Sequence, residues 1–133
     1  MELFNFHYDF HANYNLKIKK EMYKTKGLSG LINCGNKCYL NSIIQCLSNS
    51  LLLTDYIISN KYKEDLNHKK HKDEHYILNS YVSIINNIWD TNQLIKPKSL
   101  IENIGKFHKK YFSIEQQDSH ECLLYILDFG LIS

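Results

Sequence analysis

Apolar side chains recur at helical spacing along most of the chain. The clearest repeat has the spacing i, i+3, i+4, i+7 and consists of Leu40, Ile43, Ile44 and Leu47. It predicts an amphipathic helix that begins near residue 38 and ends by residues 48–50. A short helix is predicted over residues 51–58, and the longest amphipathic run covers residues 76–89.

Two further helices are predicted in the last third of the chain. Pro97 stands where a first helical residue is tolerated, and one apolar face follows it, made of Leu100, Ile101, Ile104, Phe107 and Tyr111. The last predicted helix covers about residues 116–128, with Gly130 as its stop, and buries Leu123, Leu124 and Leu127. Residues 59–75 hold five Lys, four acids and three His, which predicts a solvated loop or an exposed helix surface.

The N-terminal residues have a different period. Four aromatic residues alternate strictly with polar ones, namely Phe4, Phe6, Tyr8 and Phe10. This period of two predicts a short half-buried strand, and an arm that docks on a partner is the alternative. We therefore predict an N-terminal arm over residues 1–26 and one mainly α domain over residues 27–133.

Composition narrows the functional classes. The chain has 133 residues, 44% of them hydrophobic, with a net charge of +2, and all its basic residues are Lys. Because the chain has no Arg, the residue that forms bidentate hydrogen bonds with phosphates and guanines, we expect no nucleic-acid partner. There is no apolar run of the roughly 18 residues that a membrane span needs and no secretory signal, so we expect no membrane partner and an intracellular protein, cytoplasmic or nuclear. In that reducing compartment the four cysteines are expected to be thiols, and no cofactor is expected.

Cys38 is the strongest candidate for chemistry. A Cys in the first turn of a helix is stabilised as thiolate by unpaired backbone N–H groups, and Lys37 is expected to help. Gly35 allows a close backbone approach, and the side-chain amide of Asn33 could donate to an oxyanion. Cys46 and Cys122, inside predicted helices, are better candidates for packing. The C-x-x-x-C pair of Cys34 and Cys38 lacks the spacing of a metal or redox site, so no metal site is predicted.

At this point the sequence resembles a known family. Residues 27–28, 33–42 (NCGNKCYLNS) and 45–47 (QCL) look like the cysteine box of ubiquitin-specific proteases. A second block, QQDSHECLL at residues 116–124 followed by Leu127 and Asp128, resembles the family's second signature. Pro97, Leu100 and Phe107 also stand where the family tends to have these residues. The resemblance covers residues 27 to about 130.

The resemblance implies the helical, thumb-like half of a papain-like cysteine protease that hydrolyses the isopeptide bond after the C-terminal glycine of ubiquitin. Its partners would be ubiquitin or ubiquitinated proteins. Carried over by position, Cys38 is the nucleophile and Asn33 the oxyanion-hole donor. Asp118 and His120 would face the extended ubiquitin tail, where an acid suits arginines, and His120 is not the family's catalytic histidine.

The sequence departs from the family at three points. Lys37 replaces a small hydroxyl residue, and Cys34 and Cys122 take places commonly held by Leu and Phe. The family's histidine box, third triad member and zinc-binding fingers are not in these 133 residues. The trio His68, His71 and His75 is expected to lie on a solvated face rather than to bind a metal. Two hypotheses follow: a cysteine deubiquitinase whose histidine comes from a second chain or a missing C-terminal half, or an inactive fragment that binds the ubiquitin tail weakly.

Overall fold

The chain is mainly helical in a computed structural model that describes residues 25–66 and 75–128. Five α-helices lie in these two ranges: α1 (Cys38–Ser48), α2 (Leu51–Ile58), α3 (Tyr76–Thr91), α4 (Lys98–Phe107) and α5 (Ser119–Ile126). Two 3₁₀ helices, Lys61–Lys63 and Lys109–Phe112, complete them. The predicted mainly α fold class is confirmed, whereas the predicted strand at residues 4–10 lies outside the described residues.

Helix α3 is the centre of the core. It packs against α2 and α4, while α1 packs against α2 and α5. Its residues Tyr81, Ile85 and Ile88 have no exposed surface. Full burial of one large apolar side chain contributes about 1.5–3 kcal/mol relative to exposure, so burial of this stripe favours the helix that the longest repeat predicts. The other almost fully buried side chains around it include Ile44, Ile57, Ile77, Leu100, Ile104 and Ile126.

The helix boundaries follow the predictions at α1 and α2 and depart from them at the later helices. Helix α3 ends at Thr91, two residues beyond the predicted end, and its C-cap Asn92 takes the left-handed conformation, with φ 51°. Helix α5 begins at Ser119, not near residue 116, because the Asp118 side chain accepts hydrogen bonds from the backbone N–H groups of His120 and Glu121. An N-cap acceptor of this kind fixes the first helical residue.

The buried face of α5 also differs from the prediction. Cys122 and Ile126 are fully buried, whereas Leu124 is 47% exposed and Leu123 and Leu127 are half-buried. The predicted buried face consisted of three leucines. The face of α5 that packs on the core instead contains Cys122 and Ile126, which are four residues apart and so lie on the same side of the helix. Gly130, the predicted stop, lies outside the described residues.

The apolar face predicted after Pro97 is divided between two elements. Pro97 is the N-cap of α4 rather than its first residue, and His108, with φ −140°, ends the helix. Tyr111 reaches the core from the following 3₁₀ helix, and Phe107 is 44% exposed. Because the helix ends at His108, the chain after it does not continue along the axis of α4.

The polar stretch over residues 59–75 contains a buried anchor that the charge pattern did not predict. Tyr62 is 9% exposed and belongs to the core, within the 3₁₀ helix Lys61–Lys63. Its lysine neighbours on both sides are exposed, as predicted for a solvated stretch. Residues 67–74 of this stretch lie outside the described part.

The segment before α1 is tied to the end of α3 and leads the chain to the candidate site. The side-chain oxygen of Asn92 accepts from the N–H of Leu28 at 3.3 Å, and its amide nitrogen donates to the carbonyl of Thr25. Gly27 has φ 72°, and a Cβ there would lie 3.0 Å from the ring of Trp89. An isolated parallel bridge between Leu31 and Ile95 follows. In the described ranges, no helix has the length and apolar character that crossing a membrane requires.

Candidate active site

Cys38 is the first residue of α1 and is exposed to solvent. Its position in the first turn is the one predicted from the sequence. The Sγ–H donates to the side-chain oxygen of Gln116, with a sulfur-to-oxygen distance of 3.2 Å. The thiol therefore combines access to solvent, the positive end of a helix and one side-chain hydrogen bond.

The loop before Cys38 is shaped by a side chain and by one glycine. The side-chain oxygen of Asn33 accepts from the backbone N–H of Lys37 at 2.9 Å. Since this bond engages the oxygen, the NH₂ of the amide faces away from the bond and is left to donate elsewhere. Gly35 has φ 67°, yet a Cβ there would meet nothing within 4 Å. Glycine is favoured here by the left-handed backbone, and the close backbone approach stays a prediction.

Lys37 does not point its charge at the thiol. Its side chain is 4% exposed, and its Nζ donates to the carbonyls of Tyr111 at 2.8 Å and Ser113 at 2.6 Å. Burial lowers the pKa of Lys37 because the charged form loses hydration. The prediction that Lys37 directly helps the thiolate is wrong, because the ammonium serves backbone carbonyls of another segment.

The two motifs found in the sequence meet at this place. Besides the bonds from Lys37 and Cys38, the side-chain amide of Asn36 donates to the carbonyl of Ile114 at 2.7 Å. Residues 36–38 are thereby attached to residues 111–116, called the clasp segment below. No role for Gln116 or Asn36 was predicted from the sequence. The available signal was their position: Asn36 stands two residues before Cys38, and Gln116 stands two residues before Asp118.

Asp118 and His120 lie at the start of α5, beside α1. One oxygen of Asp118 caps the helix, accepting from His120 N–H at 2.8 Å and Glu121 N–H at 3.3 Å. Glu121 is paired with Lys110. His120 is exposed and lines a groove of about 450 Å³ between α1 and α5, together with residues that include Ser42, Ile43, Cys46, Leu47 and Leu123.

The cysteines predicted to pack have different surroundings. Cys122 is fully buried, and burial raises the pKa of its thiol to about 11, so it is a packing residue as predicted. Cys46 is exposed and lines the groove between α1 and α5, so the prediction that it packs is wrong. Its position on α1, eight residues after Cys38, places it on the side of the helix that faces the groove.

Neither a metal site nor a histidine partner for Cys38 is found in residues 25–66 and 75–128. This part of the chain contains no group of three or more His, Cys, Asp or Glu that could hold a metal ion. His108 packs edge-on against Tyr111 and Tyr125, with ring centroids 5.4 Å apart in both pairs. The side chain that meets the Cys38 thiol is Gln116. His68 and His71 lie outside the described residues.

A helical domain with an exposed cysteine at the start of a helix, beside a loop with a side-chain amide, defines a candidate thiol hydrolase. The family profile described as "Ubiquitin carboxyl-terminal hydrolase" matches residues 29–130. The chain belongs to this family, and the resemblance to ubiquitin-specific proteases is confirmed.

Relatives of known name support the same assignment. The chain is 34% identical to human "Ubiquitin carboxyl-terminal hydrolase 15" over 123 residues, which cover 91% of the chain and 12% of that protein. It is 35% identical to mouse "Ubiquitin carboxyl-terminal hydrolase 4" over 125 residues, which cover 90% of the chain and 13% of that protein. The chain therefore spans about one eighth of the length of these relatives.

A solved structure shows the same fold. It is titled "Structure of the SAGA Ubp8/Sgf11/Sus1/Sgf73 DUB module bound to ubiquitin aldehyde", and the match has a TM-score of 0.62 at 22% identity. The match covers 90% of this chain and 28% of that one. The likeness agrees with the predicted fold class of a helical part of a ubiquitin-specific protease domain.

Proposed function

We propose that the chain provides the nucleophile half of a cysteine deubiquitinase, which cleaves the isopeptide bond after the C-terminal glycine of ubiquitin. The observation that supports this proposal is the exposed Cys38 thiol at the first residue of α1, next to the loop that carries Asn33. Family membership supports the reaction class.

The proposed reaction has two steps. The Cys38 thiolate attacks the carbonyl carbon of the terminal glycine, and the Asn33 amide donates to the oxyanion that develops on the carbonyl oxygen. The carbon–nitrogen bond breaks, the lysine amine leaves with a proton from the general acid, and a thioester to Cys38 remains. Water then attacks the thioester, which frees the ubiquitin carboxylate and returns the thiol.

The catalytic base is proposed to come from outside the described residues, either from a further part of a longer protein or from a second chain. This proposal is supported by the hydrogen bond from Cys38 to Gln116, because no described histidine takes that place. An imidazole that approaches Cys38 would have to share or displace the amide of Gln116.

Asp118 is proposed to recognise the ubiquitin tail while it caps α5, with His120 beside it. The cap uses one carboxylate oxygen, so the second oxygen is available to an arginine of the tail. His120 contributes an exposed ring at the rim of the groove between α1 and α5. The two roles of Asp118 can be separated by Asp118→Asn, which keeps an oxygen for the cap but removes the negative charge.

The experiment that tests the proposed function uses a ubiquitin probe with a C-terminal electrophile on the 133-residue chain. We expect a covalent adduct on Cys38 that Cys38→Ala abolishes, and little or no turnover of a ubiquitin C-terminal fluorogenic substrate. Cys46→Ala is the matched control, because Cys46 is an exposed thiol on the same helix. An adduct that survives Cys38→Ala, or no adduct on the folded chain, would contradict the proposal.

A second candidate function is non-catalytic binding of the ubiquitin tail. The groove beside His120 and the free oxygen of Asp118 support it independently of the thiol. In that case Cys38→Ala binds ubiquitin as tightly as the unmodified chain and the electrophilic probe gives no adduct. Turnover that Cys38→Ala removes would contradict this alternative.

A further inference from the structure

Four hydrogen bonds join the start of α1 to the clasp segment, residues 111–116, and two of them come from Lys37. Its Nζ donates to the carbonyls of Tyr111 and Ser113 at 2.8 and 2.6 Å. The other two are the bond from Asn36 to the carbonyl of Ile114 and the bond from the Cys38 thiol to Gln116, at 2.7 and 3.2 Å. Lys37 therefore holds the beginning of the segment whose end meets the nucleophile.

The burial of Lys37 makes this attachment specific. The side chain is 4% exposed, and no carboxylate in residues 25–66 and 75–128 forms an ion pair with it. A buried ammonium needs hydrogen-bond acceptors, and charge-assisted bonds to carbonyls are about twice as strong as neutral ones. A serine or other short side chain at position 37 could not span the distance to both carbonyls. The clasp segment therefore depends on a long cationic side chain here.

Gln116 is suited to both states of a thiol. Its amide carries an acceptor oxygen and two N–H donors on one rotatable group. In the structure the oxygen accepts from Sγ–H, and once the proton leaves, rotation of the amide by half a turn presents an N–H to the thiolate. A hydrogen bond to the charged form of a group favours that form.

We propose that Lys37 is a positioning residue for the nucleophile: by fixing the clasp segment, it holds the Gln116 amide at Sγ of Cys38, where the amide orients the thiol and stabilises the thiolate. Lys37 acts on Cys38 through Gln116, although the two residues are adjacent in sequence. The inference rests on the proposed function only in taking Cys38 as the nucleophile.

The test measures alkylation of Cys38 by iodoacetamide between pH 6 and 9 in the 133-residue chain, with each cysteine followed separately by peptide mass spectrometry. At pH 7.5 we expect Gln116→Ala and Lys37→Met each to slow alkylation of Cys38 about threefold, the size of one lost hydrogen bond. Gln116→Glu, which keeps the shape but replaces donors by a negative charge, is expected to slow it about tenfold.

Two matched controls separate these effects from general damage to the segment. Gln117→Ala removes the neighbouring glutamine, whose amide reaches the carbonyl of Lys110 at 3.5 Å. Lys109→Met removes an exposed lysine from the same region. Both are expected to leave alkylation of Cys38 within about 1.5-fold of the unmodified chain, a difference of a few tenths of a kcal/mol as expected for surface changes.

The double variant Lys37→Met, Gln116→Ala decides whether the two residues act together. If Lys37 acts through Gln116, the double variant is no slower than either single one, about threefold. Losses that multiply to about ninefold, or no effect of Lys37→Met, would overturn the proposal. Unfolding by Lys37→Met would show as alkylation of the buried Cys122, and Lys37→Gln, a shorter uncharged donor, then takes its place with the same expected results.

The failure of this inference and the failure of the proposed function give different results. Iodoacetamide reports on the thiol without ubiquitin, and the ubiquitin probe reports on recognition of the tail. Coupled alkylation effects with no ubiquitin adduct would contradict the proposed function alone. A ubiquitin adduct on Cys38 with multiplying alkylation effects would contradict the positioning role alone.

Discussion

The contact between Gly105 of α4 and Phe112 of the clasp segment allows a quantitative prediction about packing. Gly105 is a buried residue of α4, and a Cβ built there would lie 2.3 Å from Cδ2, 2.6 Å from Cε2 and 2.8 Å from Cγ of the Phe112 ring. Carbon atoms in contact normally stand about 3.5–4.0 Å apart, so the ring would have to move by more than an ångström. Gly105→Ala therefore has two opposite effects on stability: the higher helix propensity of Ala stabilises the chain, and the overlap with the Phe112 ring destabilises it.

The sizes of these two effects predict that Phe112 decides whether Gly105→Ala stabilises or destabilises the chain. Replacing Gly by Ala in a helix interior stabilises by about 1 kcal/mol, while overpacking costs about 1–3 kcal/mol. Because Phe112 is 55% exposed, its ring has room to turn towards water, which keeps the cost below the upper end, at about 2 kcal/mol. We expect Gly105→Ala to destabilise the chain by about 1 kcal/mol, and to stabilise it by about 1 kcal/mol when Phe112 is Ala.

Urea unfolding followed by circular dichroism at 222 nm measures the four free energies of this double-mutant cycle. Phe107→Ala is the matched background, because Phe107 is a similarly exposed Phe of the same region whose removal leaves the overlap in place. In that background Gly105→Ala should still destabilise. Equal stabilisation by Gly105→Ala in all backgrounds would refute the reasoning.

Three further predictions concern a thiol, a hydroxyl and a cap. Burial raises the pKa of Cys122 from 9.0 to about 11, so the stability it contributes is present below pH 9 and is lost as the pH rises to 11. Relative to Cys122→Val, the unmodified chain should lose about 1.4 kcal/mol per pH unit in that range, measured by urea unfolding, and a pH-independent difference would contradict this. The buried hydroxyl of Thr54 donates to the carbonyl of Ser48 at 2.7 Å. Thr54→Val should therefore cost about 1–3 kcal/mol in thermal unfolding, and Thr54→Ser should cost clearly less. Asp118→Ala should cost about 1 kcal/mol of stability, whereas Asp118→Asn keeps the cap and lowers only the affinity for a ubiquitin tail peptide, measured by calorimetry; equal stability loss would contradict the capping role.

The helices were predictable where one repeat buries one face. The boundaries of α1 and α2 follow from the spacing of their apolar residues and from the polar residues between them. The start of α5 was misplaced because an apolar repeat does not say which polar residue turns its side chain back to the backbone. Asp118 does so, and its two bonds to backbone N–H groups define the first turn.

The position of Cys38 was predictable for the same local reason, but its surroundings were not. The partners of Lys37 stand 74 and 76 positions further along the chain, and the partner of the Cys38 thiol stands 78 positions further. No periodicity within one element carries such information. The resemblance of both blocks to one family implied that Cys38, Asp118 and His120 act on the same ubiquitin tail, without indicating which atoms of the chain would meet.

Lys37 shows why closeness in sequence was misleading. Successive residues at the start of a helix point in directions about 100° apart, so side chains at positions i and i+1 do not face each other. Cys38 faces solvent and Gln116, while Lys37 turns inward to the carbonyls of Tyr111 and Ser113. The charge that seemed placed to activate the thiol directly instead fixes the segment that carries its hydrogen-bond partner. The surroundings of the thiol are thus set by packing in the clasp segment, and a substitution at Gly105, which presses on Phe112 within that segment, is expected to alter Cys38 alkylation without touching Cys38.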